Sequence, residues 1–219
     1  FPTALRQIAH NLNHISFNIG GKVSFIEKNE SLTEEGRQKL EEIISFASEL
    51  NKLENNIRGL SRPPKPQLID ILTCWKKVES LFAEKIRHNS IKINLQIPEN
   101  STGWCDPLIL YTVLMNLLDN SIQAIKDASL KETEPKILLE YCKKQEVGYL
   151  RLEDNGPGFK NITRDDAMKL SVTTKTAGSG IGLPFSREMM QKCGGDLNII
   201  QPQQLKGAAI EIILKNKGE

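Results

Sequence analysis

Three short blocks follow one another in the second half of the chain: Asn116-Leu-Leu-Asp-Asn120, Asp154-Asn-Gly-Pro-Gly158 and Gly178-Ser-Gly-Ile-Gly182. Each is built from residue types that can handle a nucleotide. Asn120 offers a neutral amide oxygen of the kind a hard cation such as Mg²⁺ accepts, and Asn116, four residues earlier, shares its face of a helix. Asp154 offers an acceptor for an amino group such as that of adenine. The glycine pairs Gly156 and Gly158, then Gly178, Gly180 and Gly182, let bare backbone approach phosphates. A helix opening near Ile181 would aim its first N–H groups at anionic oxygens, with Ser179 and Lys175 as further donors. Taken singly, each block has a plainer reading: a pair of satisfied amides, an Asp-Asn-Gly turn, a solvated loop. In this order and on these elements they describe a nucleotide pocket.

A second chemical feature lies far upstream. The chain has three histidines, His10, His14 and His88, and two of them fall in the first helical stretch. There Leu5, Ile8, Leu12, Ile15, Ile19, Val23 and Ile26 step by three or four residues as one apolar stripe. At about 100° per residue His10 lies about 180° from the centre of that stripe. It is therefore expected to face solvent with a nucleophilic ring nitrogen free near neutral pH. Phe17 falls on the same exposed face. That face reads either as a docking surface for another protein or as a contact with the neighbouring domain.

Positioning these groups takes two kinds of architecture. A second stripe, Leu40, Ile43, Ala47, Leu50, Leu53, Ile57 and Leu60, follows a break at Asn29, Ser31 and Thr33, where Glu34 and Glu35 complete a helix-start signal. Two helices with one stripe each cannot enclose a core, so the hairpin of residues 1–62 is expected to pair with a second copy in a four-helix bundle, making a homodimer. Ser61-Arg-Pro-Pro-Lys-Pro66 ends the second helix and marks the boundary. From 67 to 219 the pattern alternates. Strands are expected at 91–97, 136–141, 149–153, 197–200 and 208–214, and helices at 71–87, 107–126 and 181–192. The fold class is thus α+β: a helical hairpin, then an α/β sandwich with a mixed sheet and helices on one face. The polar stretch 160–177 reads as a flap over the phosphates.

Bulk properties narrow the partners. A formal net charge of +2 with 26% charged residues gives no single-sign field for nucleic acid or an anionic membrane. Cys74, Cys105, Cys142 and Cys193 are scattered without a CxxC pair, which signals neither a zinc site nor a disulfide framework and suits a reducing cytoplasm. No run of eighteen apolar residues and no signal-peptide pattern are seen, so no membrane contact is expected within these residues, while a longer protein leaves room for an anchor.

The three blocks resemble the N, G1 and G2 boxes of the Bergerat-fold ATPases, the superfamily of gyrase, the heat-shock chaperone ATPases and the sensor histidine kinases. Hydrolysing members of that group carry a Glu four residues before the metal-binding Asn as the base for water. Here Asn116 stands there and cannot accept a proton, so the resemblance points to a kinase that passes its phosphoryl group to a side chain. Ile8-Ala-His-Asn-Leu-Asn-His-Ile15 resembles the H box of dimeric histidine kinases. By that resemblance His10 is the phosphoacceptor, Asn116 and Asn120 serve Mg²⁺, Asp154 serves adenine, and the glycines Gly156, Gly158, Gly178, Gly180 and Gly182 form the loops. A response regulator aspartate would receive the phosphoryl group.

The departures are specific. Asn11 replaces the acid that usually follows the acceptor; an amide can orient the imidazole but cannot serve as a base. His14 stands where the family often has Asn or Thr, and is itself a second candidate acceptor. A metal pair of His10 and His14 lacks further ligands nearby. Met168, Ser171 and Val172 replace the aromatic residues often found before Thr173-Thr174-Lys175. The leading expectation is an ATP-dependent protein histidine kinase acting on His10; the alternative is a catalytically impaired ATP-binding scaffold of the same fold.

Overall fold

The computed structural model describes residues 12, 15–24, 26, 32–128, 134–159, 163–168 and 182–215. The chain divides into two compact units, one of residues 1–63 with 170–182 and one of residues 64–169 with 183–219.

In the first unit, α1 is helical over residues 15–24 and α2 spans Glu34–Ser61. The second helix starts where its sequence stops favouring a loop. Thr33 is extended and its side-chain oxygen accepts from Gly36 N–H at 3.1 Å, while Glu34 and Glu35 lie in the first turn against the positive helix end. It ends before Pro63 and Pro64, with Arg62 extended as a residue preceding proline must be. A buried hydrogen bond ties the two helices together: the Ser16 hydroxyl donates to the Ala47 carbonyl at 2.7 Å. Val23, Leu40 and Ala47 are buried beside this contact. The two predicted stripes are only half enclosed, since Ile15 and Ile43, both stripe positions, are 50% and 41% exposed. The side chain that takes the inner position on α1 is Ser16, small enough to let the α2 backbone come within hydrogen-bonding reach.

The second unit contains β1 (Gln67–Asp70), α3 (Ile71–His88), β2 (Lys92–Gln96), β3 (Thr102–Cys105), α4 (Pro107–Asp127), β4 (Lys136–Lys144), β5 (Val147–Asp154), α5 (Arg164–Ala167), α6 (Gly182–Lys192), β6 (Asp196–Ile199) and β7 (Ala209–Leu214). Five strands form one sheet in the order β2-β4-β5-β7-β6. The β2–β4 pair is parallel and the others are antiparallel, so the sheet is mixed as expected. β1 and β3 form a separate antiparallel pair. Neither was foreseen: Gln-Leu-Ile-Asp and Thr-Gly-Trp-Cys are four residues each, too short for alternation to register. The short α5 likewise sits inside the stretch read as a flap, opened by a reciprocal Thr163–Asp166 cap.

Register follows hydrophobic alternation. Leu139, Leu152, Ile210 and Ile199 lie side by side on the inner face, as do Tyr141, Leu150, Ile212 and Leu197. Against that face pack α3, with Ile71, Trp75 and Val78 fully buried, and α4, with Leu110, Val113, Leu114, Leu117 and Leu118 fully buried. Among the described residues α4 alone is long and apolar enough to cross a membrane by length and composition. Its apolar surface is spent on this core. All four cysteines are free thiols. Cys105, at the end of β3, hydrogen-bonds with Cys193, just past α6, and that contact together with burial drives its thiol pKa far above the ordinary value.

Candidate functional site

The hub of the site is Asp154, the last residue of β5 and only 2% exposed. One carboxylate oxygen accepts from the backbone N–H of Gly156 at 2.9 Å and of Ala208 at 3.1 Å; the other accepts from the Ser121 hydroxyl at 2.9 Å. The backbone of Asp154 is gripped as well, its N–H donating to Ala208 O and its carbonyl accepting from Gly207 N–H, each at 3.0 Å. A carboxylate fixed on both oxygens by groups from α4, β5 and β7 cannot rotate away, which is what recognition of an exocyclic amine requires.

The turn after Asp154 is bare by necessity. A Cβ on Gly156 would lie 3.0 Å from the Asp154 carboxylate and 3.4 Å from the backbone of Ala124. Gly158 has φ +67°, in the left-handed region, and faces Gly207 O. Asn155 locks the turn from outside: its side chain accepts from Lys136 N–H and donates to Glu134 O, both at 2.8 Å.

Asn116 and Asn120 lie half-buried on α4, as expected. The helix that carries them is anchored at its start by Asp106, whose side chain accepts from Leu108 N–H at 2.9 Å and Lys65 N–H at 2.7 Å, with Pro107 at the first position. Asn116 Nδ2 donates to Ser186 Oγ at 3.1 Å, joining α4 to α6. Between the two asparagines, Asp119 is 8% exposed and accepts from Lys85 Nζ of α3 at 2.9 Å. Within six residues of α4, Asn116, Asp119 and Ser121 thus reach α6, α3 and β5 in turn. The metal donors this arrangement offers are amide oxygens, suited to a hard cation that also takes phosphate oxygens.

Gly182 opens α6, one residue beyond the expected start. The far end of α6 is secured by Arg187, whose guanidinium donates to Asp196 at 3.0 and 3.4 Å, with Gln191 Nε2 adding a bond at 3.2 Å. Burial pushes the Asp196 carboxyl up, but the bonds from Arg187 and from Leu197 N–H outweigh it and hold it below its usual range.

The structure carries Asn116 and Asn120 on α4, ties that helix to Asp154 through Ser121, and puts Gly156 and Gly158 in the turn after Asp154; Gly182 is the first described residue of the helix to which Asn116 is bonded. His10, Asn11, His14, Lys175, Gly178, Ser179 and Gly180 lie outside the described residues. Sequence reading missed Ser121, Asn155, Ser186 and Gly207. Gly207 is the most informative of these, because a Cβ there would lie 2.5 Å from Asp154 O and 2.7 Å from Gly156 N. A signal existed in Lys206-Gly207-Ala208-Ala209, where three small residues enter a strand.

Residues 105–218 match the family described as histidine kinase-, DNA gyrase B- and HSP90-like ATPase. The chain is similar to the nitrogen regulation protein NtrY of Azorhizobium caulinodans, 22% identical over 178 residues, which cover 80% of this chain and 23% of that protein. It is similar also to the sensor histidine kinase ZraS of Escherichia coli, 24% identical over 213 residues, or 94% of this chain and 44% of that one. The chain thus spans less than half the length of either. Among solved structures, full-length ShkA in complex with AMPPNP superimposes with a TM-score of 0.67 at 20% identity, covering 97% of this chain and 45% of that one.

Proposed function

We propose, from the premise that this chain belongs to the histidine kinase-, DNA gyrase B- and HSP90-like ATPase family, that it is the catalytic portion of a sensor histidine kinase of a two-component system. The observation that carries this reading is the pairing of an Asp154 carboxylate clamped for adenine with Asn116 at the position where a water-activating base would stand. ATP fits a pocket of this kind, and nothing at Asn116 can take a proton from water. Mg²⁺ would be held by the amide oxygens of Asn120 and Asn116 together with phosphate oxygens.

In this reading residues 1–62 are the dimerisation and phosphotransfer hairpin and residues 67–219 the ATP-binding domain. The γ-phosphoryl group leaves ADP and bonds to an imidazole nitrogen of His10, with Lys175, Gly178, Ser179, Gly180 and Gly182 around the phosphates. Asn11 orients the imidazole, and His14 lies one turn on. A response regulator aspartate then accepts the phosphoryl group in the cytoplasm. Exposed Ile15, Ile43 and Phe46 on the hairpin favour a homodimer. The one residue that favours a second reading is Asn11: without an acid beside the acceptor, the chain would be an ATP-binding scaffold.

Incubation with γ-labelled ATP and Mg²⁺ tests this, beside His10→Gln. Acid-labile label on the protein, abolished in the variant, is the expected result. Binding of ATP without label establishes the scaffold, and label that persists in the variant moves the acceptor to His14.

A further inference from the structure

The sheet face opposite the helices carries a polar network that none of the pocket motifs accounts for. At its centre is Glu153, next to Asp154 on β5 and pointing to the opposite side of the sheet, with no solvent exposure at all. Its two oxygens accept three backbone N–H groups from the segment that joins β6 to β7: Gln203, Gln204 and Leu205, each at 2.9 Å. The same segment is held at its side chains. Gln204 and Gln96 exchange two amide hydrogen bonds at 3.0 and 3.1 Å, and Gln203 Oε1 accepts from Arg151 at 2.6 Å.

A buried carboxylate is costly unless its oxygens are satisfied, and an apolar side chain would fill this place without that cost. Here all three donors come from one short stretch, which two residues later supplies Gly207 and Ala208. Those are the residues that grip Asp154 from the other side, through its carbonyl, its N–H and one carboxylate oxygen. Adjacent residues of one strand therefore hold the same strap from opposite faces.

We propose that Glu153 is a positioning residue for nucleotide recognition: by pinning the backbone of 203–205 it sets Gly207 and Ala208 against Asp154 and so fixes the carboxylate that receives the adenine amino group. This rests on the adenine role given to Asp154 above. Glutamine at 153 keeps the shape but turns an NH₂ toward converging N–H donors, leaving at least one without an acceptor.

The test compares the affinity of the whole chain for ATP with its affinity for purine riboside triphosphate, which lacks the 6-amino group, in wild type, Glu153→Gln and Glu153→Asp. The expected result is that Glu153→Gln weakens ATP about tenfold while the analogue changes less than about twofold, so that the preference for the amino group collapses. Glu153→Asp, which keeps the charge on a shorter arm, is expected to fall between and serves if the glutamine variant does not fold. A merely structural role would lower both affinities together; an unchanged ratio in a folded variant overturns the proposal. Wild type that binds ATP but does not distinguish the analogue overturns the adenine role of Asp154 and this inference with it. Failure of wild type to bind ATP overturns the kinase reading itself.

Discussion

In the helical unit Ile15, Phe17, Ile43, Ile44 and Phe46 stand 41 to 79% exposed, and the described core comes down to Val23, Leu40, Ala47 and the Ser16–Ala47 hydrogen bond. In the nucleotide domain Ile71, Trp75, Ile109, Leu110, Leu114, Leu117 and Leu118 are wholly buried, and the buried side chains of Asp106, Ser121, Glu153 and Asp154 each make hydrogen bonds. The second unit thus encloses a continuous apolar core, with Leu68, Leu81 and Leu108 left at its surface, whereas in the helical unit the described apolar side chains are mostly exposed. A mixed sheet with two covering helices completes its core from one chain, whereas a pair of helices leaves a face that water or another copy must cover. The difference teaches that the second unit's function should survive isolation and the first unit's should depend on concentration.

The largest effect is expected at the hub of the closed unit. Asp154→Ala removes the acceptor and strands the N–H groups of Gly156 and Ala208; ATP affinity should fall by more than about a hundredfold. Calorimetric titration measures it, and the sedimentation behaviour of the chain should stay as in wild type. A variant whose ATP binding is intact would dissolve the comparison, since the buried carboxylate would then be only structural.

Next in size is the open unit. Ile43→Glu places a charge on a face expected to meet its copy, and the dimer dissociation constant should rise by about ten- to a hundredfold, read by analytical ultracentrifugation. Nucleotide affinity should change less than about twofold, because Ile43 is not among the residues read as holding the nucleotide. A wild-type chain that remains monomeric at high concentration would remove the reason for the exposed apolar face.

The smallest effect concerns acid. The Asp196 carboxyl is held below its unfolded value, so the unfolded state binds more protons and stability from this group rises with pH. It is fully present above the ordinary carboxylate value near 3.8 and is lost as pH falls through the lower folded value. Because Arg187 and Asp196 side chains are 40% and 30% exposed, the contribution is below about 1 kcal/mol. The urea midpoints of wild type and Asp196→Asn should differ slightly at pH 6 and draw together as the pH falls below about 3.8. Convergence at neutral pH would show that the pair does not anchor α6.

Much of the fold around Asp154 was legible because the residues read as holding a nucleotide also punctuate the chain. Asp154 announced itself through the glycines behind it, and Asn116 and Asn120 by interrupting an apolar helix. Their partners were not legible. Ser121 is an ordinary helical serine until β5 lies beside α4. Gly207 acquires meaning only from the β5–β7 register that sets Asp154 next to Ala208. Glu153 looks like a surface acid on an alternating strand, and only the folded strap over it reveals three converging donors. The helix stripes predicted a hairpin, and their members Val23, Leu40 and Ala47 are buried, yet Ser16 is buried while the neighbouring stripe residue Ile15 is half exposed, since periodicity locates a face but not which edge of it a single partner covers.

Cys105 and Cys193 are 88 positions apart in the chain yet adjacent in the fold. Burial also pushes Cys74 up to about 11, and Cys74, Cys105 and Cys193 are buried while Cys142 is part-exposed. An alkylating reagent at neutral pH therefore meets one reactive cysteine quickly and the rest only when the core opens. The slow phase of labelling is a clock for the breathing of the nucleotide domain, built in without any added probe, and a bound nucleotide that steadies the fold would slow it.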